Sequence, residues 1–305
     1  MNAPDIDAAE QFVAANARVL ERRRFARLFR GGEPGPVRDA LAAYRNADGG
    51  FGHALEPDGR CPDSQPVAID FALQVMLETG AWDSDLAAGA CGWLAAHAPA
   101  GGGAVFVDPS VEGWPHAPWW VPEEGNPASL ISTGLLAGSL HAGGMSHPWL
   151  GQATALLWER IGTLDKASPY DMRGLLWFLE KVPDQARARE AAERLGRMII
   201  DQGVVALEPG APGEVHTPLD FAPRPGSPAR GVFSQSLIDA HLDQLAAAQQ
   251  PDGGWTFNWP AWSPAAEREW RGHCTVTALT LLRDNGRLNA PPAQSRPQAR
   301  TVPAR

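Results

Sequence analysis

The sequence predicts an all-α fold of roughly ten to twelve helices. Apolar residues recur at helical spacing in Val67, Ile69, Phe71, Ala72, Val75 and Met76, in Leu130, Ile131, Leu135 and Leu136, and in Leu175, Leu176, Phe178 and Leu179. No run of alternating apolar and polar residues reads as a strand. Glycine turns that close helices alternate with polar-proline pairs that open them, which marks a repeated helix-turn-helix unit.

Positions 8–30 are expected to form one long helix, with Phe12, Val13, Ala17, Leu20, Phe25 and Leu28 inward and the Glu21-Arg22-Arg23-Arg24 run as a solvated face. Gly31-Gly32-Glu33-Pro34 stops it. A helix at 37–44 ends at Asp48-Gly49-Gly50-Phe51. From there each unit is a helix, a glycine turn, a loop and a second helix. The second helices start at Gln65-Pro66, Asn126-Pro127, Ser168-Pro169 and Thr217-Pro218, because proline at the first helical position has no amide bond to lose. The turns fall at Asp48, Gly101, Asp201 and Asp252, in steps of 53, 100 and 51. The step of 100 spans two units, with the missing turn expected near 143–147 or at Asp165. About five repeats of roughly 51 residues result. After Thr217-Pro218-Leu219-Asp220-Phe221, Pro223, Pro225, Gly226 and Pro228 stop the helix early and open one wall. A last helix is expected at 267–284. Residues 1–288 are expected to form a single domain, with the N-terminal helix in 1–30 and the repeats over 35–285, followed by a disordered Pro/Arg-rich tail at 289–305.

Loop lengths place a candidate site. Connections at 78–83, 141–147 and 181–184 are short, whereas those at 52–64, 102–125, 204–230 and 256–263 are long. Alternate connections of antiparallel helices lie on opposite ends, so the long loops are expected to share one end, where function usually sits.

Composition narrows the partners. A net charge of -9 without basic blocks argues against nucleic acid. The three cysteines, Cys61, Cys91 and Cys274, are odd in number and lack Cys-x-x-Cys spacing, so neither a disulfide framework nor a zinc ribbon is expected. The first residues are acidic rather than apolar, and no stretch is long enough to span a bilayer, so a cytoplasmic location is expected. Twelve tryptophans against two tyrosines indicate large anchors at packing seams or ligand walls.

Gln249-Gln250-Pro251-Asp252-Gly253-Gly254-Trp255, preceded by Leu242 and Leu245, resembles the repeat of squalene/hopene-type terpenoid cyclases and protein prenyltransferase β subunits. Arg45-Asn46-Ala47-Asp48-Gly49-Gly50-Phe51 is a degenerate earlier copy. The resemblance covers about 35–285 and implies an α/α toroid, two concentric rings of helices around an apolar cavity, in an enzyme that handles isoprenoids. It implies an apolar small molecule as ligand and requires no cofactor. The cyclase Asp-x-Asp-Asp motif is absent; Asp83-Ser84-Asp85 is the nearest and lies in a short connection. Gly272-His273-Cys274-Thr275 resembles the histidine segment of a prenyltransferase zinc site, but His273 and Cys274 lack a third ligand and no metal is expected. Two alternatives stand beside isoprenoid handling: a carbohydrate-active (α/α) barrel hydrolase or lyase with paired carboxylates, and a non-catalytic lipid-binding or scaffold toroid.

The candidate acid/base residues on the long-loop rim are His53, Glu56, Asp58, His216, Asp220 and His273. Histidine and buried carboxyls suit proton transfer near neutral pH, and the His216/Asp220 spacing suits a carboxylate that orients an imidazole. His116, Trp119, Trp120, Glu123, Trp259, Trp262 and Trp270 are the candidate substrate-binding residues, since aromatic walls serve either a carbocation or a sugar ring.

Overall fold

The computed structural model describes residues 3–288, and its regular elements there are all helical. Twelve α-helices occur: α1 (Ile6–Asn16), α2 (Val19–Phe29), α3 (Gly35–Ala42), α4 (Pro66–Thr79), α5 (Ser84–Ala96), α6 (Leu130–Ala142), α7 (Pro148–Thr163), α8 (Pro169–Lys181), α9 (Gln185–Asp201), α10 (Pro218–Phe221), α11 (Gln235–Ala247) and α12 (Pro264–Asp284). The expected tail at 289–305 lies outside the described residues.

Local chemistry accounts for most of the boundaries. Prolines open α4, α7, α8, α10 and α12, and Ser168, Asp83 and Ser263 cap α8, α5 and α12 through side-chain oxygens. Asn126-Pro127, by contrast, opens nothing. Asn126 sits at φ 46, and α6 begins only at Leu130, capped by Ser129. Both positions expected for a further turn, 143–147 and Asp165, fall in connections, between α6 and α7 and between α7 and α8.

The largest departure is at the N-terminus. The helix expected over 8–30 breaks at Ala17 and Arg18, both extended. Glu21 and Arg24, expected in solvent, are 0% and 1% exposed. They are enclosed because they neutralise each other and their neighbours, which helical periodicity cannot reveal.

The Asp-Gly-Gly turn is built twice with the same bonds. Asp48 accepts from the Gly50 amide at 2.9 Å and Asp252 from the Gly254 amide at 3.1 Å. Gly49 and Gly253 take φ 91 and 89, the region that favours glycine. Each also packs against the backbone of a helix, Gly49 on Gly89 of α5 and Gly253 on Ala8 of α1. Phe51 and Trp255 follow and are buried, each a gain of about 1.5–3 kcal/mol from apolar area.

Helix contacts run in a regular order. α4 packs on α2 and α6, α8 on α6 and α10, and α12 on both α1 and α2. The α6–α8 approach is close because glycines face each other: a Cβ on Gly174 would lie 2.6 Å from Ile131 Cα, and one on Gly134 would strike the Gly174 carbonyl. The Gln249 side chain joins the two ends of the chain, accepting from the Asp5 amide and donating to the Asp5 and Gly253 carbonyls. One contiguous apolar core includes residues from all twelve helices. A small satellite of Cys61, Val107, Val111, Ala117 and Trp120 lies under the long loops.

Candidate functional site

Hydrogen bonds tie the four long loops to one another and to α12. Residues Gly59 and His116 form an antiparallel bridge. Trp262 donates its indole N–H to the Pro57 carbonyl at 3.1 Å, and Asn258 reaches the Val215 carbonyl. Asp58 is the junction: Trp119 donates to its Oδ2 at 2.9 Å and Trp270 to its Oδ1 at 2.7 Å. Burial raises the Asp58 carboxyl, and the two indole donors partly offset this.

Glu56 is aimed by a strained turn. His53 and Ala54 occupy left-handed φ values of 55 and 60, a conformation costly for residues with a Cβ. Arg18 holds that turn, its Nη1 donating to the Ala54 and Leu55 carbonyls at 3.0 and 2.9 Å. The same guanidinium forks onto Glu21 through Nε and Nη2. Glu56 Oε2 accepts from the Asp58 amide at 2.6 Å. Oε1 has no partner and is not closed off, so it faces accessible space. Burial, reinforced by the Asp58 carboxylate, pushes the Glu56 carboxyl well above the usual range, which favours its protonated form.

On α12, Glu269 accepts from Arg60 Nη1 at 2.8 Å through Oε2, while no hydrogen bond engages its Oε1. Arg60 also lies over the Trp262 ring at 5.5 Å, and its Nη2 is buried without a partner. Tyr44 and Phe71 flank Arg18 at 5.9 and 5.7 Å.

His273 stands between Phe71 and Trp270, with ring centroids 4.7 and 5.5 Å away. Its Nδ1 meets Arg24 Nη1 at 3.0 Å. A guanidinium only donates, so Nδ1 accepts and the ring proton sits on Nε2, which is free to donate into accessible space. Burial, with Arg24 and Arg18 nearby, drives the imidazole well below its usual pKa and keeps it neutral. Arg24 is bound in turn to Glu78 and lies 3.8 Å from Glu21.

These groups gather Glu56, Asp58, Trp119, Trp262, Trp270 and His273, with Trp259 edge-on to Trp270 at 5.2 Å. The remaining predicted residues lie elsewhere or serve structure. Trp120 is buried against Gly59 beside a void of about 10 Å³ that also touches Glu56, room for no more than one water. His116 is turned back to the Trp114 carbonyl, and His53 to Asn46. Glu123 is exposed. His216 and Asp220 form no hydrogen bond with each other, contrary to expectation. Asp220 closes a capping box with the Thr217 amide and hydroxyl, and His216 packs edge-on to Tyr170 at 4.6 Å. Burial pushes the Cys274 thiol up to about 12, and no group of three metal-ligating side chains occurs among the described residues.

Arg18, Glu21, Arg24, Tyr44, Arg60, Glu78 and Glu269 were not legible as site residues. The side chains around Glu56 and His273 are thus largely charged and hydrogen-bonded. The one usable signal was glutamate and arginine at i and i+3 beside an interrupted apolar stripe. No helix among the described residues is long and apolar enough to cross a membrane. No protein-family model matches the chain, and no curated protein matches it.

Proposed function

We propose that the chain is an acid/base enzyme acting on a polar, ring-shaped substrate, of the carbohydrate-active (α/α) barrel kind. The observation that carries this is that two carboxyls, Glu56 and Glu269, are each held through one oxygen, by the Asp58 amide and by Arg60, among side chains that also engage Trp119, Trp262 and Trp270. In this reading Glu56, protonated, gives its proton to the departing glycosidic oxygen, and Glu269 on Arg60 acts as base or nucleophile. Asp58 positions Trp119 and Trp270 against the sugar face, and the His273 Nε2–H donates to a hydroxyl.

The α/α toroid belongs to the same proposal. Its support is cyclic order: the turn after α3 packs on α5, and the turn after α11 packs on α1, as if α1 followed α11 around a ring. Five helix pairs, α3–α4 through α11–α12, correspond to the repeats over 35–285, with α1–α2 as a further pair. The even-numbered helices then form the inner ring that carries Arg18, Asp70, Arg173 and His273.

Isoprenoid handling remains a second reading on one observation, the aromatic run Phe257, Trp259, Trp270 and Phe71 joined through His273. The enclosed charges of α2, α4 and α12 weigh against it, because an apolar chain satisfies none of them. The test is incubation with defined glycans and, separately, polyprenyl diphosphates. Glycan cleavage that falls by about 10²–10⁴-fold in Glu56→Gln, with unchanged circular dichroism, is expected. Turnover of a polyprenyl substrate alone would reverse the order of the two readings, and turnover of neither would leave a non-catalytic ring.

A further inference from the structure

The segment 108–121 is pinned at both ends, yet it leaves three large apolar side chains in solvent. At one end the Gln65 side chain accepts from the Asp108 amide at 2.8 Å and donates to Ser110 Oγ at 2.9 Å. At the other, the Arg60 amide donates to the Pro115 carbonyl at 2.9 Å and the Ala117 amide to the Asp58 carbonyl at 2.7 Å. Trp120 is buried on Gly59, where a Cβ would meet its ring at 2.2 Å. Trp114, Trp119 and Val121 are nevertheless 45%, 41% and 60% exposed, three of the seven exposed large apolar side chains among the described residues. Tryptophan is usually well buried, so indoles held out on a fixed segment mark a surface for a partner. Trp119 belongs to the Glu56 site through its bond to Asp58. Trp114 extends that aromatic surface outward. Its backbone is fixed, the amide to the Val111 carbonyl at 2.9 Å and the carbonyl 2.6 Å from His116 Nδ1, while no hydrogen bond or ring contact engages its indole among the described residues.

We propose that Trp114 is an outer subsite for a glycan chain without acidic groups, one sugar of which lies in the Glu56 site while a later sugar stacks on the Trp114 ring. Charge narrows the occupant. From Cys61 to Glu159 the chain has ten carboxylates and no lysine or arginine. A stretch of that sign repels anionic lipid headgroups, nucleic acid and acidic polysaccharides alike. Glu112, Glu123 and Glu124, which flank the tryptophans in sequence, are exposed and in no ion pair among the described residues. A sugar suits both features, since its C–H face covers an indole while its hydroxyls donate to carboxylates or stay in water. A lipid tail brings no such donors. This inference rests on the carbohydrate reading of the Glu56 site and makes the substrate an oligosaccharide or polysaccharide rather than a single sugar.

The experiment uses the full chain and neutral cello-, xylo-, malto- and chito-oligosaccharides of increasing length. Turnover is measured as kcat/KM against length, and affinity is measured by calorimetry with the Glu56→Gln chain. Longer members of the accepted series are expected to gain about tenfold over the shortest in both quantities. Trp114→Ala should remove that gain, so that long and short members behave alike, and Trp114→Phe should keep most of it. Thermal midpoints of both variants establish that they are folded. A gain that persists in Trp114→Ala, or turnover that does not depend on length, overturns the subsite and leaves the Glu56 reading intact. Tighter binding of oligogalacturonate, Trp114-dependent adhesion to phosphatidylcholine vesicles, or self-association that Trp114→Ala abolishes also overturns it, in favour of an acidic glycan, a lipid surface or a second copy. Trp114-dependent binding of long oligosaccharides by a chain that turns over none of them would instead defeat the acid assignment and keep the subsite. Binding of no member of any series would overturn both.

Discussion

Glu21 is fully enclosed, and it compensates two buried guanidinium groups. Glu21→Gln keeps the side-chain volume and removes the charge, leaving Arg18 and Arg24 without their shared counter-ion. A loss of about 3–5 kcal/mol in urea unfolding is expected, far more than an exposed ion pair would give. A loss under about 1 kcal/mol would mean that Arg18 is held mainly by the Ala54 and Leu55 carbonyls. Asp70 makes a pH-dependent prediction. Burial lifts its carboxyl from the ordinary 3.8 to about 7, so between those values the folded chain binds more protons than the unfolded one. The Asp70 contribution to stability is therefore full below about 3.8 and is lost as pH rises toward 7. Subtracting the Asp70→Asn curve from that of the unsubstituted chain should show that decline, and a flat difference between pH 4 and 7 would contradict it. None of this was legible in the residues themselves. Glu56, Asp58, Trp119 and Trp270 were identified from loop length, whereas Glu21 and Arg24 looked like solvated helix charges and Glu269 gave no signal.

Helix α2 owes its function to where it begins. Had α1 and α2 been continuous, as their apolar spacing suggested, Arg18 would not cap the turn that aims Glu56. The break comes from extended backbone at Ala17 and Arg18, and Gly272 of α12 packs against it, where a Cβ would lie 2.7 Å from Ala17 Cβ. Helix starts were easier to read, since Gln65-Pro66, Ser168-Pro169 and Thr217-Pro218 carry their signal locally. Close approach was not, because a glycine needed for contact looks the same as one that is tolerated. Gly174→Ala should force α6 and α8 apart, at a cost of about 1–3 kcal/mol, while Gly92→Ala, mid-helix in α5 with nothing within 4 Å, should stabilise by about 0.5–1 kcal/mol. Thermal or urea unfolding of the two variants distinguishes them, and similar effects of equal sign would rule out the packing role of Gly174.

The ends of the chain meet through Gln249, whose side chain makes three hydrogen bonds, two of them to Asp5. Gln249→Ala should lower hydrogen-exchange protection in α1 before any other helix and cost about 1–3 kcal/mol of overall stability. Uniform loss of protection across α1 to α12 would indicate that closure is carried by packing of α12 on α1 and α2 instead. At this scale the division between sequence and structure is clear. By itself the sequence determined the helical class, most helix starts, the twice-built Asp-Gly-Gly turn and the loops that share an end, because each is encoded by neighbours within a turn or two of helix. Only the tertiary structure decided which charges are enclosed, that His216 and Asp220 do not pair, and that Trp119 and Trp270 converge on Asp58. Those outcomes depend on residues 50 to 250 positions apart meeting in a medium of low polarity, where a partner's presence or absence outweighs any local preference.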